Sequence, residues 1–220
     1  MPIHYRVGRL RDGRSFSHRQ VDASQDGRDV FRLLASFQRP VEGPDHDEAV
    51  TGATDRADAP GDPSLDVDYH AWEAAGTDNP AHDALTAPGP VAIRFRGAPP
   101  PEWGQVVRGP QCLWARIAGD VPSDSPLLHA ALLAWLSDKT IADFATLAHG
   151  RRWVDSGTDS VSLDHAMWFL RPARADRWLR FVQESPSSAG GRGLTRGDFV
   201  DARGRRVASA VQETLITLPD

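Results

Sequence analysis

Cysteine and long apolar runs are nearly absent from this 220-residue sequence. The single cysteine, Cys112, excludes an internal disulfide and fits a reducing compartment, and we interpret it as a small buried residue of a strand. No stretch approaches the roughly 20 apolar residues of a membrane-spanning helix. Residues 1–6 also lack the basic and then apolar layout of a secretion signal. These absences predict a cytoplasmic protein with no membrane span.

Lysine is as scarce as cysteine, and the charges that are present are unevenly distributed. Lys139 is the one lysine beside 24 arginines. Residues 42–90 hold twelve acidic residues and one arginine, a net charge of −11, which leaves +6 for the rest of a chain whose net charge is −5. This stretch is rich in proline, glycine and alanine and has no helical or strand period, so it predicts a linker. The sequence shows no basic face with aromatic residues interleaved among the basic ones, so no nucleic-acid partner is predicted.

An arginine-rich hairpin pattern occurs twice. The first copy runs from Arg14 through an Asp-Gly-Arg turn to Val30, and the second runs from Arg192 through an Arg-Gly-Arg turn to Val207. Each copy has an alternating strand, a glycine turn and a second strand, which favours an antiparallel hairpin. The first copy, with a further strand over 3–10, contains strands only, so it is an incomplete version of the second.

One long helix precedes the second hairpin. Asp124 and Ser125 are candidate N-caps, and Pro126 suits the first helical turn. Apolar residues then recur with helical spacing, at Leu128, Ala131, Leu132 and Trp135. The helical pattern continues or restarts through Ile141, Phe144 and Leu147, and Gly150 ends it.

The order of the elements gives the fold class. From residue 91 to residue 217 the chain reads as two strands, the helix and four further strands, at 160–170, 177–184, 193–200 and 205–217. One long helix among antiparallel strands predicts an α+β fold in which the sheet wraps around the helix. The predicted organisation is a partial first unit of strands at 1–41, an acidic linker at 42–89 and a complete second unit at 90–220.

Three polar residues stand where the surrounding pattern is apolar or small. They are Asp138 near a break in the helix, Ser162 on a strand and Gln212 on the last strand. A carboxylate, a hydroxyl and an amide that converge in a cleft can orient a water for attack on a carbonyl. From spacing alone the simpler alternatives stay open: a helix-capping aspartate, an edge-strand serine and a solvated glutamine.

Several longer motifs resemble those of the type II acyl-CoA thioesterases. In the second unit they are SLDHAMWF at 162–169 followed by Arg171-Pro172, ESPS at 184–187, GGRG at 190–193 and VASAVQE at 207–213. In the first unit they are LRDGRSFS at 10–17 and ASFQ at 35–38. The resemblance covers residues 3–40 and 90–217, with the motifs in the family's order. It implies a double hot dog fold, two helix-in-sheet units fused in one chain.

The resemblance also implies a catalytic set and a mechanism. In that family an Asp on the second unit's helix, a Ser or Thr on the following strand and a Gln on the last strand act together. These positions correspond to Asp138, Ser162 and Gln212. The implied reaction is direct attack of an activated water on the thioester carbonyl of acyl-CoA, with no acyl-enzyme, cofactor or metal. We interpret the nearby Asp164 as outside this set, and His165 as a structural residue on an apolar face.

The sequence departs from the family's pattern in its first unit. Met1 begins after the strand, helix and strand that normally open that unit, so the resemblance implies a truncated chain, a misassigned start or an oligomer that covers the open sheet. We expect acyl-CoA as the substrate and a homo-oligomer as the assembly. The alternative function is a catalytically impaired acyl-CoA-binding or interaction protein of the same fold.

Two other enzyme classes fit the sequence less well. A hot dog hydratase would need a histidine five residues after its helix aspartate, but Asp143 stands five residues after Asp138. A thioesterase of the α/β-hydrolase type would show Gly-x-Ser-x-Gly, and no serine in this chain is flanked in that way.

Overall fold

Strand pairing divides the chain into two units. The computed structural model describes residues 1–52, 67–74, 89–95 and 104–219. Met1–His46 form the first unit and Asp47–Asp220 form the second. Each unit has an antiparallel sheet of its own.

The first unit is a three-stranded meander of β1 (His4–Asp12), β2 (Phe16–Gln25) and β3 (Arg28–Gln38). The turn between β2 and β3 places Asp26 at φ 53° and Gly27 at φ 74°. Two successive residues in the left-handed region match the twist of the flanking strands, which is why Asp-Gly turns form tight hairpins. The predicted first hairpin is therefore present.

A carboxylate on the central strand links all three strands of the first unit. Asp22 on β2 accepts hydrogen bonds from Arg32 Nε of β3 at 2.6 Å and from Arg6 Nη2 of β1 at 3.0 Å. Gln20 on the same strand donates a further hydrogen bond at 2.9 Å. The bonds from Arg32 and Gln20 lower the pKa of Asp22 to about 2. Asp22 is therefore ionised throughout the physiological pH range and cross-links the sheet.

Among its described residues, the second unit has a seven-stranded sheet and three helices. Its elements are α1 (Tyr69–Ala74), β4 (Val91–Phe95), β5 (Gln111–Ile117), α2 (Pro126–Ser137), α3 (Asp143–Leu147), β6 (Asp159–Ser162), β7 (Ala166–Phe169), β8 (Leu179–Ala189), β9 (Arg192–Val200) and β10 (Arg206–Thr217). The strand order is β4-β5-β8-β9-β10, and both β6 and β7 pair with the other edge of β10. The predicted α+β architecture is present, and the predicted helix restarts as α3 after α2.

The core of the second unit lies between its helices and the central strands of the sheet. Helix α2 packs on β5, and α3 packs on β8, β9 and β10. The rings of Phe181 and Phe199 stack in this core, with centroids 3.9 Å apart and planes at 4°. Gly197 allows this stack, because a Cβ at that position would lie 2.4 Å from Cε2 of Phe181. Shape complementarity of this kind stabilises the helix-on-sheet arrangement.

The buried face of α2 is not the predicted one. Of the predicted stripe, Leu128 and Trp135 are 43% and 40% exposed. The residues that α2 buries are His129, Leu133, Leu136 and Ser137. Because α2 is apolar on nearly all sides and turns its polar side chains inward, periodicity alone could not select the face. No helix in the described ranges has the length and apolar content needed to cross a membrane.

Part of the acidic segment predicted as a linker, 42–89, packs within the second unit. Tyr69 on α1 is 2% exposed, its ring lies 5.7 Å from that of Phe95, and its hydroxyl donates to the Asp143 carboxylate. Val50 is also buried, against valines of β8 and β9. The linker interpretation is therefore wrong for these parts, since isolated anchor residues leave no period in an acidic sequence. Residues 53–66 and 75–88 lie outside the described residues.

Candidate active site

The three predicted site residues lie where the C-terminal end of α2 meets β6 and β10. Asp138 is the C-cap residue of α2, and Ser162 is the last residue of β6. Gln212 lies within β10, and its exposure is 0%. Its Nε2 donates a hydrogen bond to Ser162 Oγ at 2.7 Å. The interpretation of Gln212 as a solvated residue is therefore wrong, while Asp138 does cap its helix and Ser162 does lie on an edge strand.

His165 connects Asp138 to the Ser162–Gln212 pair. Its Nδ1 lies 2.6 Å from Oε1 of Gln212 and 3.9 Å from Oδ1 of Asp138. Its Nε2 lies 2.9 Å from Oγ of Ser137, the last residue of α2. The His165 side chain is 23% exposed and that of Asp138 is 56% exposed. His165 is thus the neighbour of both Gln212 and Asp138, and Ser162 joins this group through its hydrogen bond from Gln212.

The interpretation of His165 as a residue of an apolar face is wrong because the strand is not continuous. Ser162 pairs with Thr214 of β10, and Ala166 pairs with Val211. Three residues between those pairs therefore oppose two residues of β10, which is a β-bulge. An extra residue inverts the alternation of side chains beyond it, and bulges re-aim side chains next to active sites. Strict alternation along the strand places His165 on the apolar face, so the sequence did not predict its contact with Gln212. The polar Asp164-His165 pair next to Ser162 was the signal in the sequence that could have indicated this contact.

Asp164 supports the backbone of this bulge. Its Oδ1 accepts a hydrogen bond from the Glu213 N–H at 2.8 Å, and the Leu163 N–H donates to the Glu213 carbonyl at 2.9 Å. These two bonds fasten the bulged segment to Glu213 of β10, just before His165. Within the residues that the structure describes, no group of three or more His, Cys, Asp or Glu side chains is placed to hold a metal ion.

The environment of Asp138 makes its carboxylate a better base. Partial burial raises the pKa of Asp138, and its charge interactions with His165 and Lys139 oppose that rise. A carboxylate with a raised pKa accepts a proton more readily. A half-exposed side chain also lies open to a water or a substrate. This combination suits a general base.

Two family models cover most of the described chain. The acyl-CoA thioesterase model matches residues 91–215, and the model of the acyl-CoA thioesterase N-terminal domain matches residues 1–38. The chain belongs to the acyl-CoA thioesterase family. The first match contains every residue of the site described above, including the bulge that carries His165.

Individual members of the acyl-CoA thioesterase family and of its fold agree with this assignment. Acyl-CoA thioesterase 2 of Haemophilus influenzae is 31% identical over 98% of this chain and 73% of its own length. The crystal structure of an acyl-CoA thioesterase II from Mycobacterium marinum has a TM-score of 0.70 at 34% identity, over 98% of this chain and 74% of that one. A hot dog protein of unknown function from Alicyclobacillus acidocaldarius has a TM-score of 0.70 at 20% identity, over 98% and 73% of the two chains. The fold is the hot dog fold.

Proposed function

We propose that this chain hydrolyses acyl-CoA to a free fatty acid and CoA by direct attack of water on the thioester. The observation that carries the proposal is the convergence of Asp138, Ser162 and Gln212 at the end of α2, in a chain of the acyl-CoA thioesterase family. The half-exposed Asp138 carboxylate lies 3.9 Å from His165, which contacts the buried Gln212 amide that holds the Ser162 hydroxyl. These are the groups that a hydrolytic site needs to activate a water and to stabilise an oxyanion.

The proposed reaction has two bond changes at the thioester carbon. Asp138 accepts a proton as the water oxygen bonds to the carbonyl carbon, which forms a tetrahedral oxyanion. The Ser162 hydroxyl donates to that oxyanion, and Gln212 holds the serine by its amide hydrogen bond. Collapse of the intermediate breaks the C–S bond, and the departing CoA thiolate takes the proton from Asp138. Atoms and charge balance without a covalent intermediate on the protein.

We further propose that the protein works in the cytoplasm as a homo-oligomer. Support for the compartment is the single cysteine, which suits a reducing environment. Support for the assembly is the number of large apolar side chains exposed on strands, among them Phe31 at 53%, Leu34 at 70% and Trp168 at 54%. Exposed apolar patches of this kind commonly mark protein–protein interfaces.

The test is hydrolysis of acyl-CoA esters by the purified chain. Thiol release, followed with a chromogenic thiol reagent across short, medium and long acyl chains, is expected to be proportional to protein concentration and saturable in substrate. A non-hydrolysable thioether analogue of acyl-CoA reports binding separately. Tight binding of the analogue with no thiol release from any acyl-CoA would contradict the proposal and support the acyl-CoA-binding alternative.

The activity should be lost on the acid side as Asp138 becomes protonated. An ordinary aspartate has a pKa of about 4. Because burial raises the pKa of Asp138, the midpoint of the fall in kcat/KM at low pH should lie above that ordinary pKa. Because the pKa of Asp138 is higher in the folded state than in the unfolded state, the folded protein loses stability as the pH rises and Asp138 ionises. The uncharged Asp138→Asn variant should therefore be at least as stable as wild type at neutral pH. Measuring kcat/KM and Tm from about pH 4 to 8 checks both signs. An acid limb that persists unchanged in the residual activity of Asp138→Asn would contradict the assignment.

A further inference from the structure

We propose that His165 is a positioning residue that fixes the orientation of the Gln212 amide and thereby keeps the Ser162 hydroxyl proton available to the substrate. The proposal rests on the proposed thioesterase activity. It concerns a residue that touches Gln212 and lies beside Asp138 without belonging to the three groups assigned to the reaction. Four side chains form the continuous sequence of contacts Ser137, His165, Gln212 and Ser162.

The hydrogen-bond partners of Gln212 determine which nitrogen of His165 is protonated. Gln212 Nε2 donates to Ser162 Oγ, so it is the carbonyl oxygen, Oε1, that faces His165. A carbonyl oxygen can only accept a hydrogen bond, and therefore Nδ1 of His165 must carry a proton and donate it. On the other side of the ring the Ser137 hydroxyl lies 2.9 Å from Nε2 and 2.8 Å from the Ala134 carbonyl, and it can give its proton to either neighbour.

The opposite direction of donation would remove the serine proton from the reaction. If the Gln212 amide were rotated by half a turn, its Oε1 would accept the Ser162 proton, and its Nε2 would donate to an unprotonated Nδ1 of His165. Ser137 would then accept from Nε2 and keep its donation to the Ala134 carbonyl, at 2.8 Å. In that arrangement Ser162 has no proton left for a thioester oxygen. The proton on Nδ1 of His165 therefore decides between a serine that can donate to substrate and one that cannot.

The surroundings hold His165 in the position that this role needs. The β-bulge turns the ring toward β10, and Asp164 fastens the bulge to the Glu213 N–H. Gln212 is fully buried, so its amide has no solvent partner to compensate for a lost histidine. Hydrogen bonds to a buried amide are costly to lose, because the unpaired group keeps its desolvation penalty.

Two substitutions of His165 separate positioning from packing. In His165→Asn the amide nitrogen can take the place of Nδ1 and donate to Gln212, whereas in His165→Gln the longer side chain carries its amide to the place of Nε2, next to Ser137. We expect His165→Asn to keep kcat within about fivefold of wild type, and His165→Gln to lower kcat about 10- to 100-fold with little change in KM. A packing role predicts the reverse order, since glutamine is closer to histidine in volume. His149→Asn and His149→Gln, at an exposed histidine after α3, are the matched controls.

Thermal melts first confirm that both His165 variants are folded, and their kcat values are then compared. Retention of kcat by Asn with loss by Gln supports the proposal. Equal losses in both variants would overturn it, because they would indicate that the imidazole itself takes part in proton transfer. A larger loss in the Asn variant would also overturn it, in favour of packing.

A measurement without turnover tests the same proposal independently of the thioesterase activity. Imidazole ¹⁵N resonances report which ring nitrogen carries a proton, and we expect a protonated Nδ1 at His165 in the wild-type protein, lost in favour of the other tautomer in a Gln212→Leu variant. A wild type that fails to hydrolyse acyl-CoA but shows this signature refutes the proposed function and supports the positioning contact. A wild type that hydrolyses acyl-CoA with an unprotonated Nδ1 overturns the positioning proposal and leaves the function intact.

Discussion

Replacing Asp138 by Asn should lower the turnover of acyl-CoA by about 10²- to 10⁴-fold, the usual contribution of a positioned general base. The substitution keeps the shape of the side chain and its place at the C-terminal end of α2. It removes the group that accepts the water proton, while Ser162 and Gln212 keep their hydrogen bond. The loss should therefore appear in kcat, with KM for acyl-CoA changed by less than about threefold. Steady-state kinetics with the thiol-release assay measure both constants.

The matched control for this substitution is Asp159→Asn. Asp159 is an exposed aspartate on β6, three residues before Ser162, so its replacement makes the same change in charge and volume outside the site. We expect wild-type kinetics for the control and folded melting curves for both variants. A loss of less than about threefold in kcat for Asp138→Asn would show that this carboxylate is not the base.

Replacing Phe199 by Ala should destabilise the second unit by about 3–5 kcal/mol, the cost measured for deleting a buried phenylalanine. The Phe199 side chain is completely buried and stacks on Phe181, so its removal leaves a cavity and breaks an aromatic pair. Gly197 packs against the ring of Phe181, the partner that would line this cavity. Urea denaturation followed by tryptophan fluorescence measures the change in the free energy of unfolding.

The matched control is Phe169→Ala, which removes the same side chain from the other neighbour of β10. Phe199 and Phe169 both pair with Ala208, from opposite sides, but Phe169 is 50% exposed. We expect the control to cost about 1 kcal/mol or less. Similar losses in the two variants would contradict the assignment of the structural core to the Phe181–Phe199 stack.

Local signals in the sequence predicted the strands and the composition of the candidate site. Hairpins form where alternating strands flank turns that tolerate a positive φ, and Asp26-Gly27 is such a turn. Helix α2 begins at Pro126, as its proline and preceding polar residues predict. The identities of Asp138, Ser162 and Gln212 came from the family's motifs, and the structure places them together at the end of α2. These features depend on residues close together in the chain or on motifs of fixed order.

Two features could not be predicted because they depend on contacts between distant segments. The buried face of α2 is selected by what lies beneath it, and its sequence is too uniformly apolar to show a preference. The packing of Tyr69 onto Phe95, and its hydrogen bond to Asp143, involve single residues in a segment with no period. Tertiary contacts of this kind override local pattern without leaving a local signature.

The sequence by itself determined the family and the antiparallel hairpins, and it predicted the three polar residues of the candidate site, because local spacing and ordered motifs carry this information. The tertiary structure alone decided the role of His165. One extra residue between the pairs Ser162–Thr214 and Ala166–Val211 inverts the alternation of the strand and turns the imidazole onto Gln212. A bulge is a property of the pairing between two segments that are distant in the chain, and it cannot be read from either segment alone.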